Sequence, residues 1–299
     1  MLPDKVKPNL SAATDDAALK AHFAAGNWGY YSHKLDGIRC LGHNGKAYSR
    51  KGLLIPNAYV QEAFATGDYD GFDGELIVGE PNASDVYRKT YSGVMSESGE
   101  PDFTFWVFGR WDEPTTKFKD LTYSLRLRPQ IGAVNLVKQV KVRTYDELAD
   151  LEGESLVNGY EGGMYRWSEA LYKFGRSTKK EMGIMKIKRF EEDDLVVLGF
   201  ECAYRNDNEA VEDNLGYTKR STHKENLVPI ERVGKFLCRM PDGTVEKVAT
   251  GNFNHADLEF IWRNKESFVH KILKVKHFSH GVKDKLRHAR AVHWRADID

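Results

Sequence analysis

The sequence is organised around one stretch, His33-Lys34-Leu35-Asp36-Gly37-Ile38-Arg39. It places an amine, a carboxylate, a glycine and a guanidinium within a few residues of one another. On residue types alone, a lysine close to an aspartate is most often a solvated surface pair without chemistry. The spacing Lys-x-Asp-Gly-x-Arg is more informative than the residue types, because it fixes the order and the separation of the four groups.

This spacing resembles the signature of the covalent nucleotidyltransferases, which include the ATP-dependent DNA ligases and the messenger-RNA capping enzymes. In that family the lysine attacks the α-phosphate of a nucleotide, so the resemblance implies that Lys34 is the nucleophile. A lysine amine has an ordinary pKa of about 10.4 and must be neutral to attack, and nearby cations disfavour the ammonium form. We therefore expect Arg39 and a metal ion to help activate Lys34. The resemblance also implies nucleotide contacts from Ser32, His33, Leu35 and Arg39 and a metal contact from Asp36.

Length and composition limit the classes of protein to consider. A chain of 299 residues is long enough for two ordinary domains. Basic and acidic residues each number 44, so a polyanion site must arise from local clusters. The three cysteines form no Cys-x-x-Cys pair, which argues against a disulfide framework or a zinc site and favours a reducing compartment. We expect neither a membrane span nor a signal peptide, and hence a cytoplasmic protein, in the host cytoplasm if it is viral.

Two motifs that follow Lys34 match further elements of the ligases. Ser49-Arg50-Lys51-Gly52 resembles the element whose arginine meets phosphate groups, which implies that role for Arg50. Asp73-Gly74-Glu75 matches the motif whose glutamate binds the ribose, and we also take Glu75 as a candidate metal ligand. By residue type alone, a basic pair such as Arg50 and Lys51 is more often a solvent-exposed surface feature without a role in binding. A glutamate such as Glu75 is more often a solvated residue at the end of a strand.

The aromatic run at residues 103–111 and the stretch Glu161-Gly162 supply two more candidates. Aromatic residues in an apolar run usually belong to the core, but the resemblance implies that Phe108 stacks on the adenine ring. Glu161 matches the glutamate that binds a metal ion in the family. One carboxylate suits Mg2+ (or Mn2+), because magnesium takes a few carboxylates together with nucleotide oxygens.

Two basic segments complete the set of motifs. Lys186 and Lys188 alternate with apolar residues as in a strand, which predicts that both lysines point into one cleft. The family uses such lysines to hold the α-phosphate and to neutralise charge in the transition state, although lysines on an edge strand are commonly solvent-facing. The tail resembles the last ligase motif, which orients the leaving pyrophosphate, with Arg287, Arg295 and Asp297 at matching positions.

Local sequence signals predict several elements around these motifs. Thr14 is the expected N-cap of a helix over residues 14–25, and Asn44-Gly45 predicts a type I′ hairpin. Thr144 to Glu147 form a capping-box pattern before a short helix. After residue 190 the sequence predicts short strands at 195–200, 235–240 and 244–249 and a helix at 255–263, whereas the polar residues 201–225 suggest a long mobile loop.

The motifs occur in the family's order across nearly the whole chain, which favours a short ATP-dependent DNA ligase of bacteriophage type. The resemblance implies an α+β fold: a nucleotidyltransferase domain at 1–190, with ATP-grasp-like antiparallel sheets and helices, followed by an OB-fold β-barrel at 191–299. It also implies nicked double-stranded DNA and ATP as partners, ATP and Mg2+ (or Mn2+) as cofactors, and a monomer that does not bind membranes. A GTP-dependent capping guanylyltransferase and a non-catalytic nucleic-acid-binding OB-fold protein stay open as alternatives.

Overall fold

The computed structural model of the protein describes residues 2–121, 134–188, 191–278 and 286–295. The chain forms two compact units. The first comprises Met1–Lys188 together with Asp213–Tyr217, and the second comprises Arg189–Glu212 together with Thr218–Asp299. Within the described ranges, no helix combines the length and the apolar character needed to cross a membrane.

The first unit contains eleven described strands and four described α-helices. The strands are β1 (Asn9–Leu10), β2 (Gly29–His33), β3 (Ile38–His43), β4 (Lys46–Ser49), β5 (Phe72–Val78), β6 (Phe103–Arg110), β7 (Val134–Leu136), β8 (Val140–Val142), β9 (Gly163–Trp167), β10 (Gly175–Arg176) and β11 (Ile184–Ile187). The helices are α1 (Asp16–Ala24), α2 (Ala58–Phe64), α3 (Val86–Val94) and α4 (Tyr145–Val157). One sheet has the order β4-β3-β5-β6-β7 and another has the order β11-β9-β2-β8, while β1 pairs with β10.

Each of the two larger sheets buries one face under helices. Phe64, Leu76 and Phe105 are fully buried in the core of the five-stranded sheet. Strand β6 alternates buried and half-buried positions, so that Phe103 and Phe105 face this core and Phe108 faces the other way. The four-stranded sheet packs on α1 and α4 through a separate buried cluster, whose members include Leu19, Tyr31, Leu148 and Tyr165.

Elements with strong local signals form as predicted. Asn44 and Gly45 both have positive φ, at 48° and 64°, as a type I′ turn requires, and they join the antiparallel strands β3 and β4. Thr144 caps α4 by accepting the Glu147 N–H at 3.1 Å. The predicted cap of α1 is wrong: the N-cap is Asp15, which accepts the Ala18 N–H at 3.1 Å.

The second unit is built on a five-stranded closed barrel with the order β12-β15-β16-β18-β17. Its described elements are β12 (Glu191–Asn206), β13 (Ala210–Glu212), β14 (Thr218–Arg220), β15 (Leu227–Arg239), β16 (Val245–Ala249), α5 (His255–Arg263), β17 (Ile272–Phe278) and β18 (Arg287–Trp294). The prediction of a long loop at residues 201–225 is wrong, because β12 runs on to Asn206 and a two-stranded sheet of β13 and β14 follows. The predicted helix at residues 255–263 is confirmed.

Candidate active site

Lys34 follows directly after β2, where the backbone is held by the neighbouring strand. The Lys34 N–H donates to the Gly162 carbonyl at 2.9 Å. The Lys34 ammonium lies 3.0 Å from Glu161 Oε2 and donates to the Leu35 carbonyl at 3.3 Å. The predicted nucleophile and the predicted metal-binding glutamate therefore form an ion pair at the end of β2.

Glu161 is shared between two lysines, because Lys188 Nζ lies 2.9 Å from the same Oε2 atom. Burial on its own lowers the pKa of Lys34, but the negative charges of Glu161, Glu75 and Asp36 outweigh burial, so that the pKa lies above the ordinary lysine value. The surrounding protein thus favours the ammonium form of Lys34. This is opposite to the activation by a neighbouring cation that the sequence suggested.

The Arg39 guanidinium, which the sequence suggested as an activator of Lys34, binds Asp73. Arg39 Nε and Nη2 donate to the two carboxylate oxygens of Asp73, each at 2.6 Å, and Nη2 also donates to the Asn9 carbonyl at 3.0 Å. Asp73 is fully buried and accepts a further hydrogen bond from the Tyr172 hydroxyl at 2.6 Å. Removing one partner of such a buried, forked pair typically costs about 3–5 kcal/mol. Asp73 therefore fixes Arg39 at the pocket wall.

Glu75 lies beside this pair and contacts the motif that carries Lys34. Glu75 Oε1 accepts the Gly37 N–H at 2.9 Å. Burial raises the pKa of Glu75 above the ordinary glutamate value, and the positive charges of Lys34 and Arg39 offset only part of that effect. A Cβ at Gly37 would lie 2.2 Å from the Leu76 carbonyl oxygen, so this close approach of two strands requires a glycine.

Two guanidinium groups contact the ring of Phe108. Arg39 lies 4.5 Å and Arg166 lies 5.1 Å from the ring centroid. Arg166 is buried, lies 4.9 Å from the Phe118 ring and makes no ion pair within the described residues. Burial, together with repulsion from Arg39, lowers the pKa of Arg166 to about 10. The predicted adenine platform is therefore part of a cation–π cluster in this structure.

His33 connects the strand before Lys34 to the loop that carries Glu161. The His33 ring stacks on Tyr160 with a centroid distance of 4.2 Å, and its Nδ1 lies 2.7 Å from the Ser155 hydroxyl on α4. Burial, with a contribution from the charge of Lys138, lowers the pKa of His33 below the ordinary histidine value. Neutral His33 thus joins β2, α4 and the Glu161 loop.

These side chains surround a pocket of about 390 Å³, which lies in the size range of small-molecule sites. Nine of the predicted residues line it: Ser32, His33, Lys34, Leu35, Arg39, Arg50, Glu75, Phe108 and Lys186. Asp36, Glu161 and Lys188 do not line it. Lys186 lines the pocket, whereas Lys188 contacts Glu161, which also binds the pocket residue Lys34. That both lysines point into one cleft stays a prediction.

The other predicted residues do not line this pocket or lie outside the described structure. In the described part of the chain, no three carboxylate, histidine or cysteine side chains converge as a metal site would, so Asp36, Glu75 and Glu161 do not form a ready trio of ligands. Arg295 belongs to the second unit, where Asp194 Oδ2 accepts its Nη2–H at 2.8 Å. The side chain of Arg287 and residue Asp297 lie outside what the structure describes.

The residues of the site that were not predicted include Asn9, Asp73, Arg166 and Tyr172. Asp73 carried a signal, because it is the first residue of the Asp-Gly-Glu motif and its partner Arg39 is the last residue of the lysine motif. The other three meet the site only through tertiary contacts. No signal in the sequence around them marks those contacts.

The chain is similar in fold to solved structures of DNA ligases. No family model matches the sequence, and no curated protein does either. Among solved structures, the Chlorella virus DNA ligase-adenylate is 23% identical, with a TM-score of 0.53 and coverage of 97% of this chain and 99% of that chain. A Lig E DNA ligase is 20% identical with a TM-score of 0.65 and coverage of 97% and 99%. The ATP-dependent DNA ligase of bacteriophage T7, solved with ATP, is 14% identical with a TM-score of 0.51 and coverage of 97% and 98%.

This chain has the DNA ligase fold. The resemblance that the motifs indicated is thereby confirmed at the level of the fold, and so is the expected combination of helices and sheets in a mixed architecture. The ligase fold places Lys34, Glu75, Phe108 and Lys186 around one pocket in the first unit.

Proposed function

We propose that this protein is an ATP-dependent DNA ligase, which seals nicks with a 5′-phosphate and a 3′-hydroxyl in duplex DNA. The observation that carries the proposal is the convergence of Lys34, Arg39, Glu75, Phe108 and Lys186 on one pocket. If the lysines were only surface residues and the aromatic residue only part of the core, their convergence on one pocket would have no explanation. Nucleotidyl transfer needs all of them, because it requires a nucleophile, a sugar-binding group, a base platform and a phosphate-binding cation.

The reaction consists of three displacements at phosphorus. Neutral Lys34 Nζ attacks the α-phosphorus of ATP, a nitrogen–phosphorus bond forms, the bond to the β-phosphate breaks and pyrophosphate leaves. The 5′-phosphate of the nick then attacks the lysyl-AMP, which frees Lys34 and leaves AMP on the DNA. The 3′-hydroxyl finally attacks the 5′-phosphorus, so that a phosphodiester forms and AMP leaves.

The pocket residues would divide these tasks. Glu75 would accept a hydrogen bond from the ribose, and Arg39, held by Asp73, would meet a hydroxyl or a phosphate with its remaining N–H groups. Phe108, with Arg166 beside its ring, would contact the adenine base. Lys186 would bind the α-phosphate and neutralise charge in the transition state, with Lys188 acting from its place beside Glu161.

A divalent metal ion, Mg2+ or Mn2+, fits the donor chemistry of this site. Asp36, Glu75 and Glu161 supply hard carboxylate oxygens, and magnesium needs only one or two of these when nucleotide oxygens and water complete its shell. The ion would supply positive charge that offsets the negative charge of Glu161, and it would therefore lower the pKa of Lys34.

We further propose that residues 1–190 form the adenylyltransferase domain and that residues 191–299 form an OB-fold domain. The five-stranded barrel with one helix, α5, supports the second assignment, since such barrels bind oligonucleotides. Exposed basic residues of the first unit, among them Arg50 and Lys180, suit the backbone of nicked duplex DNA. We propose that the protein acts as a monomer.

The test is covalent labelling by nucleotide. Wild-type protein incubated with ATP and magnesium should gain the mass of one AMP, and Lys34→Ala should gain none. Lys34→Arg is a matched control, because it keeps the positive charge but does not supply a neutral amine at ordinary pH. An AMP adduct on the Lys34→Ala protein would contradict the assignment of the nucleophile.

The same experiment separates the two alternatives. A capping guanylyltransferase would take up GMP from GTP, and a non-catalytic nucleic-acid-binding protein would form no adduct with either nucleotide. A ligase should then seal a nicked duplex in the presence of ATP. Uptake of GMP in preference to AMP would overturn the proposed function.

A further inference from the structure

The strand that carries Lys186 lies at the edge of its sheet, and N-terminal residues cover that edge. Among the described strands, β11 pairs with β9 alone. On its other side Ala12 forms a parallel bridge with Met185. The Ala12 N–H donates to the Ile184 carbonyl at 2.9 Å, and the Ala12 carbonyl accepts the Lys186 N–H at 3.0 Å. The N-terminal segment thus acts as a short extra strand along β11.

This backbone pairing stops after Ala12, because the chain turns into α1 at its N-cap, Asp15. The side chain of Thr14 continues the pairing where the backbone no longer can. Its hydroxyl donates to the Lys186 carbonyl at 2.6 Å and accepts the Lys188 N–H at 3.1 Å. A hydroxyl has one proton to donate and lone pairs to accept, so both bonds form at once. Without Thr14, these two backbone groups would lose their partner.

The segment bound by Thr14 also packs tightly against the loop that holds Glu161. A Cβ at Gly162 would lie 2.3 Å from the Ile187 carbonyl oxygen and 3.5 Å from Lys188 Cα. There is no space in which the end of β11 could shift toward this loop. A displacement of the backbone at residues 186–188 would therefore move Lys186 relative to the pocket and Lys188 relative to Glu161.

We propose that Thr14 is a positioning residue for nucleotidyl transfer. Its hydroxyl fixes the backbone of Lys186 and Lys188, so that one lysine faces the nucleotide pocket while the other holds Glu161 beside Lys34. The inference rests on the proposed ligase function. It assigns to the N-terminal segment a part in catalysis, although Thr14 itself lies outside the pocket lining.

Two substitutions separate the hydroxyl from the shape of the side chain. Thr14→Val keeps the branched shape but removes both hydrogen bonds, whereas Thr14→Ser keeps the hydroxyl. We expect Thr14→Val to lower the single-turnover rate of AMP-adduct formation at saturating ATP about 10- to 100-fold, since small displacements of catalytic groups have effects of this size. The ATP concentration for half-maximal rate should change less than about threefold, because the loss is in the transition state. Thr14→Ser should restore most of the rate.

Thr144→Val is the control for loss of stability alone. Thr144 caps α4, as Thr14 was expected to cap α1, and no hydrogen bond of the described residues joins it to Lys186 or Lys188. If Thr14→Val forms the adduct at the wild-type rate, or if Thr144→Val slows the reaction as much as Thr14→Val does, the positioning role is overturned.

Amide hydrogen exchange keeps this test independent of the proposed function. In Thr14→Val, the Lys188 N–H should exchange faster than in wild type, because it has lost its acceptor. If the wild-type protein forms no adduct, the ligase assignment fails, and exchange still reports on Thr14. Unchanged protection of Lys188 in Thr14→Val would overturn the inference, whatever the outcome for the ligase activity.

Discussion

Lys34 and Glu161 form an ion pair, with 3.0 Å between Nζ and Oε2, at the end of the strand that enters the pocket. Nucleophilic attack needs the neutral amine, whereas the ion pair favours the ammonium. The site without nucleotide and metal thus holds Lys34 in its unreactive form. Arg39 does not relieve this, since Asp73 binds its guanidinium. Activation must come from charge that compensates Glu161.

The first prediction is that Glu161→Gln lowers the pKa of Lys34 in the protein free of metal and nucleotide. The substitution removes the nearest negative charge, which now raises that pKa above the ordinary value. Competitive labelling with an amine-selective reagent, read by mass spectrometry across alkaline pH, gives the titration of Lys34. Labelling of exposed Lys46 should be the same in both proteins. A Lys34 titration that does not move would show that Glu161 does not control this amine.

The second prediction is that Glu75→Gln stabilises the unliganded protein at neutral pH. Because the folded protein raises the pKa of Glu75, the unfolded chain loses this proton first, and the stability of the wild type falls as pH rises from the ordinary value of 4.5 through the raised pKa. The glutamine has no proton to lose, and its oxygen still accepts the Gly37 N–H. The free energy of unfolding of Glu75→Gln should therefore exceed that of wild type at pH 7.

Denaturant unfolding at several pH values measures the difference in free energy of unfolding between Glu75→Gln and wild type. The difference between Glu75→Gln and wild type should shrink as pH falls through the raised pKa toward 4.5, and should level off below 4.5, where the carboxyl is protonated in both the folded and the unfolded state. An exposed glutamate, Glu62, provides a matched Glu→Gln control. A Glu75→Gln protein that is less stable than wild type at pH 7 and equally so at pH 4 would contradict the raised pKa.

Sequence patterns predicted those elements of the fold whose signals are local. The Asn44-Gly45 turn, the Thr144 cap and the helix at 255–263 each depend on residues close together in the chain, and all three form. The strands β13 and β14 were missed because every residue in them is exposed, so that no alternation of apolar and polar residues marks them. Asp15 and Thr14 are both good caps, and only the tertiary bonds from Thr14 to Lys186 and Lys188 decide between them.

The candidate site was predicted as a set of residues but not as a set of contacts. The motifs identified nine residues that line the pocket. They could not reveal that Asp73 binds Arg39 or that Lys188 and Lys34 share Glu161, because the residues of each pair are far apart in the sequence. The raised pKa of Lys34 follows from those contacts, which is why the sequence suggested activation by Arg39 and did not reveal the effect of Glu161.

The third prediction concerns two adjacent lysines, Lys179 and Lys180, in the segment between β10 and β11. Lys179 pairs with Asp15 at 3.0 Å, whereas Lys180 makes no ion pair within the described residues. An ion-paired lysine brings less net charge to a DNA backbone. Lys180→Ala should therefore reduce the slope of log affinity against log salt for nicked duplex by about 0.9, and Lys179→Ala should reduce it less. Equal changes in slope for the two variants would show that the Asp15 pair opens when DNA binds.

The last prediction separates the first chemical step from the final one. Arg295 is held in the second unit by Asp194, whose Oδ2 lies 2.8 Å from its Nη2, and this pair is exposed on both sides. Exposed pairs contribute little to stability, so Arg295→Ala should fold normally. Only the first step expels pyrophosphate, which must leave on the side opposite the attacking lysine. If Arg295 orients that leaving group, its loss should slow the first step alone.

We therefore expect Arg295→Ala to lose most adduct formation from ATP while it keeps much of its ability to seal a nick that already carries a 5′-adenylate. Lys186→Ala should lose both activities, because Lys186 lines the pocket that, in the proposed reaction, holds the transferred phosphate in every step. Asp194→Asn is the control: it removes the negative charge that binds Arg295 but keeps the arginine, so adduct formation should be retained. Sealing of pre-adenylylated nicks in single turnover measures the final step for all three variants. If Arg295→Ala and Lys186→Ala lose that step equally, Arg295 serves the DNA site and not the leaving pyrophosphate.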